Sequence, residues 1–229
     1  MPKVSFVIPT WSGDAYLAET LESCRNQTLK DIEIIVVDDC SPDFTEDLMT
    51  WYVKQDERIK YHRLEENSGS AVKPRNFGNN LAQSELICVL DHDDLNDPYR
   101  AKFCVEYFKR YPETQCLTGA YYECNPDGIP MKKYEPEGIT KQLLVDGKYL
   151  NREWWDLKEA RGWLHSSACY RKSDILRIPY RDMEGETDDY RLLIDWLEAG
   201  MVFKCTKKVL AYKRMGEGLE RQMDKRMAA

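Results

Sequence analysis

The sequence predicts an α/β domain built on a mostly parallel sheet with helices over its faces. Two observations carry that expectation. Short apolar runs alternate with segments of helical periodicity through the first half of the chain. The runs at 4–8, 32–37 and 86–90 are apolar at successive positions, as strands covered on both faces are. After residue 94 the alternation gives way to a different pattern.

Each element follows from its own residues. Residues 4–8 form a β-rich run that closes on Pro9-Thr10. Residues 14–30 read as a helix, because Leu17, Ala18, Leu21 and Cys24 share a face. Residues 32–37 are a second strand, ending at Asp38-Asp39, and 46–55 are again helical. A weaker strand at 59–64 precedes a helix at 74–83. The strand at 86–90 runs into Asp91-His92-Asp93-Asp94. Residues 99–111 make one more helix, and 115–182 mix Gly, Pro and aromatic residues without a clear period. A late helix at 192–197 and a last strand at 202–212 precede a charged tail, 216–229.

Composition narrows the function. The 229 residues suffice for one domain with a sizeable core. An apolar content of 42%, with 11% aromatics, excludes a disordered chain. No apolar run approaches the roughly 20 residues of a membrane span, and the N-terminal run is too short for a signal-peptide core. With 33 basic and 40 acidic residues the net charge is −7, which argues against nucleic acid as a partner. An acidic chain that handles an anionic ligand must invert its field locally, with a cation or a few placed Arg and Lys. The eight cysteines include no CxxC pair and there are only three histidines, so no zinc site is expected. Cysteines within apolar stretches read as reduced core residues of an intracellular, cytoplasmic protein.

In open parallel sheets ligands bind beyond the carboxyl ends of the strands. Those ends carry Pro9-Thr10-Trp11, Asp38-Asp39, Glu65-Glu66-Asn67 and Asp91-His92-Asp93-Asp94. Turn chemistry alone accounts for Asp38. Carboxylates gathered from three separate strands predict a site. In extended chain Asp91 and Asp93 face the same side, so they can share a divalent ion, and carboxylates favour Mg²⁺ or Mn²⁺. Such an ion would neutralise a departing diphosphate. No Gly-x-Gly-x-x-Gly follows the first strand and there is no Walker-type loop, which argues against a dinucleotide oxidoreductase and a P-loop phosphotransferase.

Taken in order, Val4-Ser5-Phe6-Val7-Ile8-Pro9-Thr10-Trp11, Ile34-Ile35-Val36-Val37-Asp38-Asp39-Cys40-Ser41, Asn67-Ser68-Gly69 with Arg75-Asn76, and Leu90-Asp91-His92-Asp93-Asp94 resemble the successive motifs of glycosyltransferase family 2. Thr187-Asp188-Asp189-Tyr190-Arg191-Leu192 resembles the acidic motif that carries the family's base. The resemblance implies a single GT-A domain over 1–229: a nucleotide-sugar-binding half at 1–112, an acceptor-facing half at 113–215 and the tail. It implies that Pro9, Thr10, Trp11, Asp39, Arg75 and Asp91 bind the donor. Trp11 would pack on the nucleotide base, Thr10 and Asp39 would hydrogen-bond it, and Arg75 would reach the base or diphosphate. Asp91 would lie near the ribose and Asp93 would ligate Mn²⁺ or Mg²⁺, with Asp91 beside it. Asp189 would be the general base, with Asp188 in the place of the usual Glu. Acidic residues also suit a helix's first turn on capping grounds alone.

Departures from the family's pattern stand beside these assignments. Where relatives carry a metal-binding His, this chain has Met215, a poor ligand for a hard cation. Lys213 or Arg214 could touch phosphate instead. His92 reads as a spacer. His165 and Trp163 fall where relatives line the sugar pocket, and a structural role for His165 stays open. Trp154-Trp155 offer faces for a sugar to stack on or for core packing.

The expected function is a metal-dependent, inverting transferase that moves a sugar from a nucleotide donor, taken as a UDP-sugar, to an acceptor hydroxyl in glycan or polysaccharide synthesis. The acceptor would be a carbohydrate or a lipid-linked glycan, which would let a chain without a transmembrane segment work at a membrane. Two alternatives remain: a non-catalytic nucleotide-sugar-binding scaffold, motivated by Met215, and a sugar nucleotidyltransferase. The latter would need a Gly-rich, basic loop after the first strand, which this sequence lacks.

Overall fold

A computed structural model of the chain describes residues 1–136, 164–182 and 188–215. The expected alternation is present. Strands β1 (Val4–Thr10), β2 (Ile32–Asp38), β3 (Ile59–Arg63) and β4 (Leu86–Val89) pair in parallel in the order β3-β2-β1-β4. Helices α1 (Leu17–Arg25), α2 (Thr45–Gln55) and α3 (Val72–Leu81) connect them. Antiparallel joins enter with the later strands. After β5 (Leu95–Asn96) and α4 (Arg100–Arg110) come β6 (Cys116–Cys124), β7 (Pro130–Tyr134), a 3₁₀ turn (His165–Ser167) and β8 (Cys169–Arg171). Helices α5 (Lys172–Arg177) and α6 (Asp188–Glu198) lead into β9 (Phe203–Arg214). The sheet continues β4-β8-β6-β9-β5, with β9 parallel to β6 and β7 on β6.

The parallel strands are apolar on both faces because both are covered. Phe6, Ile8, Ile34, Val36 and Leu90 pack on one side with Leu17 and Leu21 of α1, Met49 of α2 and Phe108 of α4. Val7, Ile35, Val37, Ile87 and Val89 belong to the other side, with Val72 of α3 and Leu193 and Trp196 of α6. At about 25 cal/mol per Å² of apolar surface removed from water, these two layers are the main driving force for the fold.

Helix α1 is shorter than the period suggested, and Gln27 explains why. Its side chain is wholly buried, donates to the Ser23 and Asp97 carbonyls and accepts from the Ala101 amide. Thr28 N–H donates to the Pro98 carbonyl. These bonds pull residues 26–28 off the helical path and fasten them to the start of α4. The short strand β5 was also not expected. It is paired by β9, more than a hundred residues downstream, so no local signal announces it.

Two features of the fold are directly testable. Helix α3 lies so close to the sheet that a Cβ on Gly78 would come within 2.6 Å of Val7 Cγ1. Gly78→Ala therefore lowers stability by about 1–3 kcal/mol, despite the better helix propensity of alanine, and urea denaturation reads the loss. At the end of α2, the Asp56 carboxylate accepts three bonds from Arg58, two from its guanidinium and one from its amide, and one from Arg25. The hydrogen bonds from Arg58 hold its carboxyl down at about 2. The associated stability is complete above the unfolded value of about 3.9 and is lost as pH falls through the folded one. Asp56→Asn is thus less stable than wild type at pH 7, and the gap narrows toward pH 2 in denaturant titrations.

Candidate active site

The strand ends converge as predicted, and each end is built for it. Val7 accepts from the Leu90 amide, and Pro9 faces the same way two residues on, beyond the last β1–β4 pair. Its missing N–H therefore costs no ladder bond. Pro9 is buried inside β1. Thr10, at the end of the strand, is buried with its Oγ1 unpartnered. Gly13 packs against that hydroxyl so closely that a Cβ there would sit 2.2 Å from it. Trp11 is half-buried next to it.

Asp38 and Asp39 divide the work at the end of β2. Asp38 is wholly buried and accepts from Ser41 N–H, Ser41 Oγ, Tyr61 and Arg63. It is spent on the turn, where Cys40 is held at φ 59, a left-handed conformation that needs such bracing. Asp39 bonds main chain to main chain with Thr10, and its carboxylate accepts from Ser68 N–H and Oγ. Asn67 Nδ2 donates to the Asp39 carbonyl. The Asn67-Ser68-Gly69 segment thereby clamps the β2 turn from the far side.

The centre of the site is Arg75 on α3. Its Nη2 donates to Asp91 Oδ1 at 2.6 Å, and its Nη1 donates to Asp188 at the head of α6. The guanidinium is buried and lies over the Tyr180 ring, 5.5 Å from its centroid. Asn76, the next residue, donates to the Tyr180 carbonyl and accepts its N–H, which fixes that ring. Burial pushes the Asp91 carboxyl up, but the charge of Arg75 outweighs it and the group sits at about 2. Ser166 Oγ donates to Asp91 Oδ2 and accepts the Asp91 amide.

Asp93 differs from Asp91. Its carboxylate receives no side-chain hydrogen bond among the described residues, and burial, aided by the negative charge of Asp91, pushes it up. A divalent cation would reverse that, and the Asp93 carboxylate offers the hard oxygen donors such an ion takes, while the Asp91 oxygens also carry the bonds from Arg75 and Ser166. Arg214 holds the surrounding loop. Its side chain donates to the Asp93 and Pro126 carbonyls and to Glu19, and its amide donates to Asp94. With all these bonds made it is a strut rather than a phosphate ligand. Met215 follows it at the end of β9, its amide bonded to the Cys124 carbonyl.

Asp188 and Asp189 occupy the first turn of α6, where the helix dipole favours carboxylates. Asp188 is taken by Arg75. The Asp189 carboxylate makes no hydrogen bond among the described residues, and its charge reaches both Arg75 and His165. His165 is buried, with Nε2 2.6 Å from the Tyr180 hydroxyl. Desolvation, with the neighbouring Arg75 charge, lowers it to about 4. It is thus a neutral ring behind the site. Trp163, Trp154-Trp155 and the tail lie outside the described residues. Sequence does not single out Ser166 or Tyr180, and it offers Arg214 as a phosphate contact rather than as a strut. Their roles depend on partners that only the fold supplies.

Known proteins bear on this geometry. The profile of Glycosyl transferase family 2 matches residues 5–174. A Bacillus subtilis glycosyltransferase named for teichuronic acid biosynthesis, TuaG, is 36% identical over 61% of this chain and 55% of its own length. The Campylobacter jejuni GalNAc(5)-diNAcBac-PP-undecaprenol beta-1,3-glucosyltransferase is 37% identical over 89% of this chain and 75% of its own. The crystal structure of Staphylococcus aureus TarS 1-349 in complex with UDP-GlcNAc superposes with a TM-score of 0.72 at 22% identity, covering 94% of this chain and 59% of that one. This likeness establishes a shared fold, and the chain spans little more than half of TuaG and of the TarS fragment. Strand ends that gather carboxylates around a buried arginine, within a matched region of that extent, lead to one conclusion: the chain belongs to glycosyl transferase family 2.

Proposed function

We propose that this chain transfers a sugar from a UDP-sugar to an acceptor hydroxyl, with inversion at the anomeric carbon and with Mn²⁺ or Mg²⁺. The observation that carries the reading is the Arg75 bridge. It joins Asp91, on the donor edge of the sheet, to Asp188, on the helix facing the other half, and so makes one site of two. The names of relatives support the substrate class: TarS has been crystallised with UDP and with UDP-GlcNAc, and the Campylobacter relative is named for glucosyl transfer to a lipid-linked glycan.

In this reading the unpartnered Thr10 hydroxyl and Asp39 hydrogen-bond the base, and Trp11 packs on it. Arg75 orients the donor and faces its diphosphate. Asp93 and Asp91 would hold the cation, whose charge offsets that building on the departing diphosphate. Asp189, rather than Asp188, takes the proton of the attacking hydroxyl, because Asp188 is already bound to Arg75. His165 stays neutral and keeps Tyr180 in place under Arg75.

Thermal shift with UDP, with and without Mn²⁺, tests the donor side. Asp93→Ala loses the Mn²⁺-dependent part of the rise in Tm. Asp189→Asn keeps UDP binding but slows UDP release from the donor in the presence of acceptor by about 10²–10⁴-fold. Normal turnover by Asp189→Asn contradicts the assignment. Tight donor binding without turnover by the wild type, across acceptors, would point to the scaffold reading. Arg75→Met leaves two carboxylates without their cation and lowers stability by about 2–3 kcal/mol in urea denaturation.

A further inference from the structure

Behind β4 the fold brings together three cysteines that are far apart in sequence. Cys88 of β4, Cys104 of α4 and Cys169 of β8 are each wholly buried, and their sulfur atoms all lie within 4.8 Å of one another. The Cys88 and Cys104 sulfurs are 4.0 Å apart, and all three thiols are free. Three thiolates bound at about 2.3 Å around one ion in a plane stand about 4.0 Å from each other. The spacing in the protein therefore needs little adjustment to hold an ion. Three sulfurs without oxygen or nitrogen form a soft donor set. No His or carboxylate joins the cluster among the described residues, so the tetrahedral set that zinc favours is incomplete.

A second observation points the same way. Arg100 is wholly buried and has no carboxylate partner among the described residues. Its terminal nitrogens donate to Asn96 Oδ1 and to the carbonyls of Val89, Ser166 and Ala168, and its Nε is left without a partner. A buried guanidinium without a counter-charge is costly. Its positive charge acts on Cys88 and Cys104. Cysteines serving only as small apolar residues would give this cation nothing.

We propose that Cys88, Cys104 and Cys169 form a buried, three-coordinate site for one thiophilic cation of the Cu(I) class, with Arg100 offsetting one of the two negative charges of the complex. Loading displaces the proton of each protonated thiol into solvent and leaves the oxidation state of the ion unchanged. The bound ion ties β4, α4 and β8 together directly behind the Asp91 edge. Ser166, whose carbonyl Arg100 holds, is the residue that bonds Asp91.

The test uses the reduced full chain under anaerobic conditions, with Cu(I) supplied in competition with a chromophoric Cu(I) chelator. One ion per chain is taken from the chelator, Tm rises, and X-ray absorption shows three sulfur neighbours at about 2.3 Å. The double variant Cys40→Ser/Cys205→Ser, which removes the two partly exposed thiols, retains the ion. Cys88→Ala, Cys104→Ala and Cys169→Ala each lose it, with circular dichroism of the ion-free variants checking the fold. The spectrum of the wild type decides the matter even if a core variant unfolds. Failure of the wild type to retain an ion, a two-sulfur or oxygen and nitrogen shell, or loss of the ion in the Cys40/Cys205 variant overturns the proposal.

Discussion

A single buried guanidinium organises this molecule's chemistry. Arg75 is fixed from below by Tyr180, which in turn is fixed by Asn76 and His165, and it reaches one carboxylate on each side. Placing a charge in a low-dielectric setting is tolerable only when partners surround it. Here the partners are Asp91, carried by β4, and Asp188, carried by α6, so the requirement to neutralise one cation locks the parallel half of the sheet to the last helix. Ser166 and Arg214 extend the same logic outward, holding the Asp91 carboxylate and the Asp93 loop. The outcome is an edge where most polar groups are satisfied and a few are not: Thr10 Oγ1 and, among the described residues, the Asp189 carboxylate, while Asp93 has no side-chain donor there.

Those unsatisfied groups are what a nucleotide sugar and a cation would complete. A site whose carboxylates were all paired would be a structural network. The contrast between Asp38, consumed by its turn, and Asp93, which no side chain among the described residues bonds, separates fold from chemistry within one acidic edge. The same contrast separates Asp188 from Asp189, which sequence alone leaves equivalent.

Much of the architecture was legible because the physics is local. The β1, β2 and β4 runs announce strands covered on both faces, and their Asp-rich ends announce the site's edge. The errors came where partners are remote. Helix α1 stops early because Gln27 is drawn into bonds with Asp97 and Ala101, and β5 exists only because β9 pairs it. The strut role of Arg214 depends on a carbonyl and a carboxylate some 120 residues earlier. Each cysteine taken singly looks like a core residue, and no spacing in the sequence signals that three of them meet beside Arg100. Residues 137–163, where Trp163 lies, are outside the described structure.

The shared site built around Arg75 is tested most directly by a crystal of the chain grown with UDP and Mn²⁺, read by anomalous scattering. A manganese peak within coordinating distance of Asp93, with the diphosphate between it and Arg75, is the expected result. A nucleotide bound elsewhere, or a peak away from both Asp91 and Asp93, would contradict it.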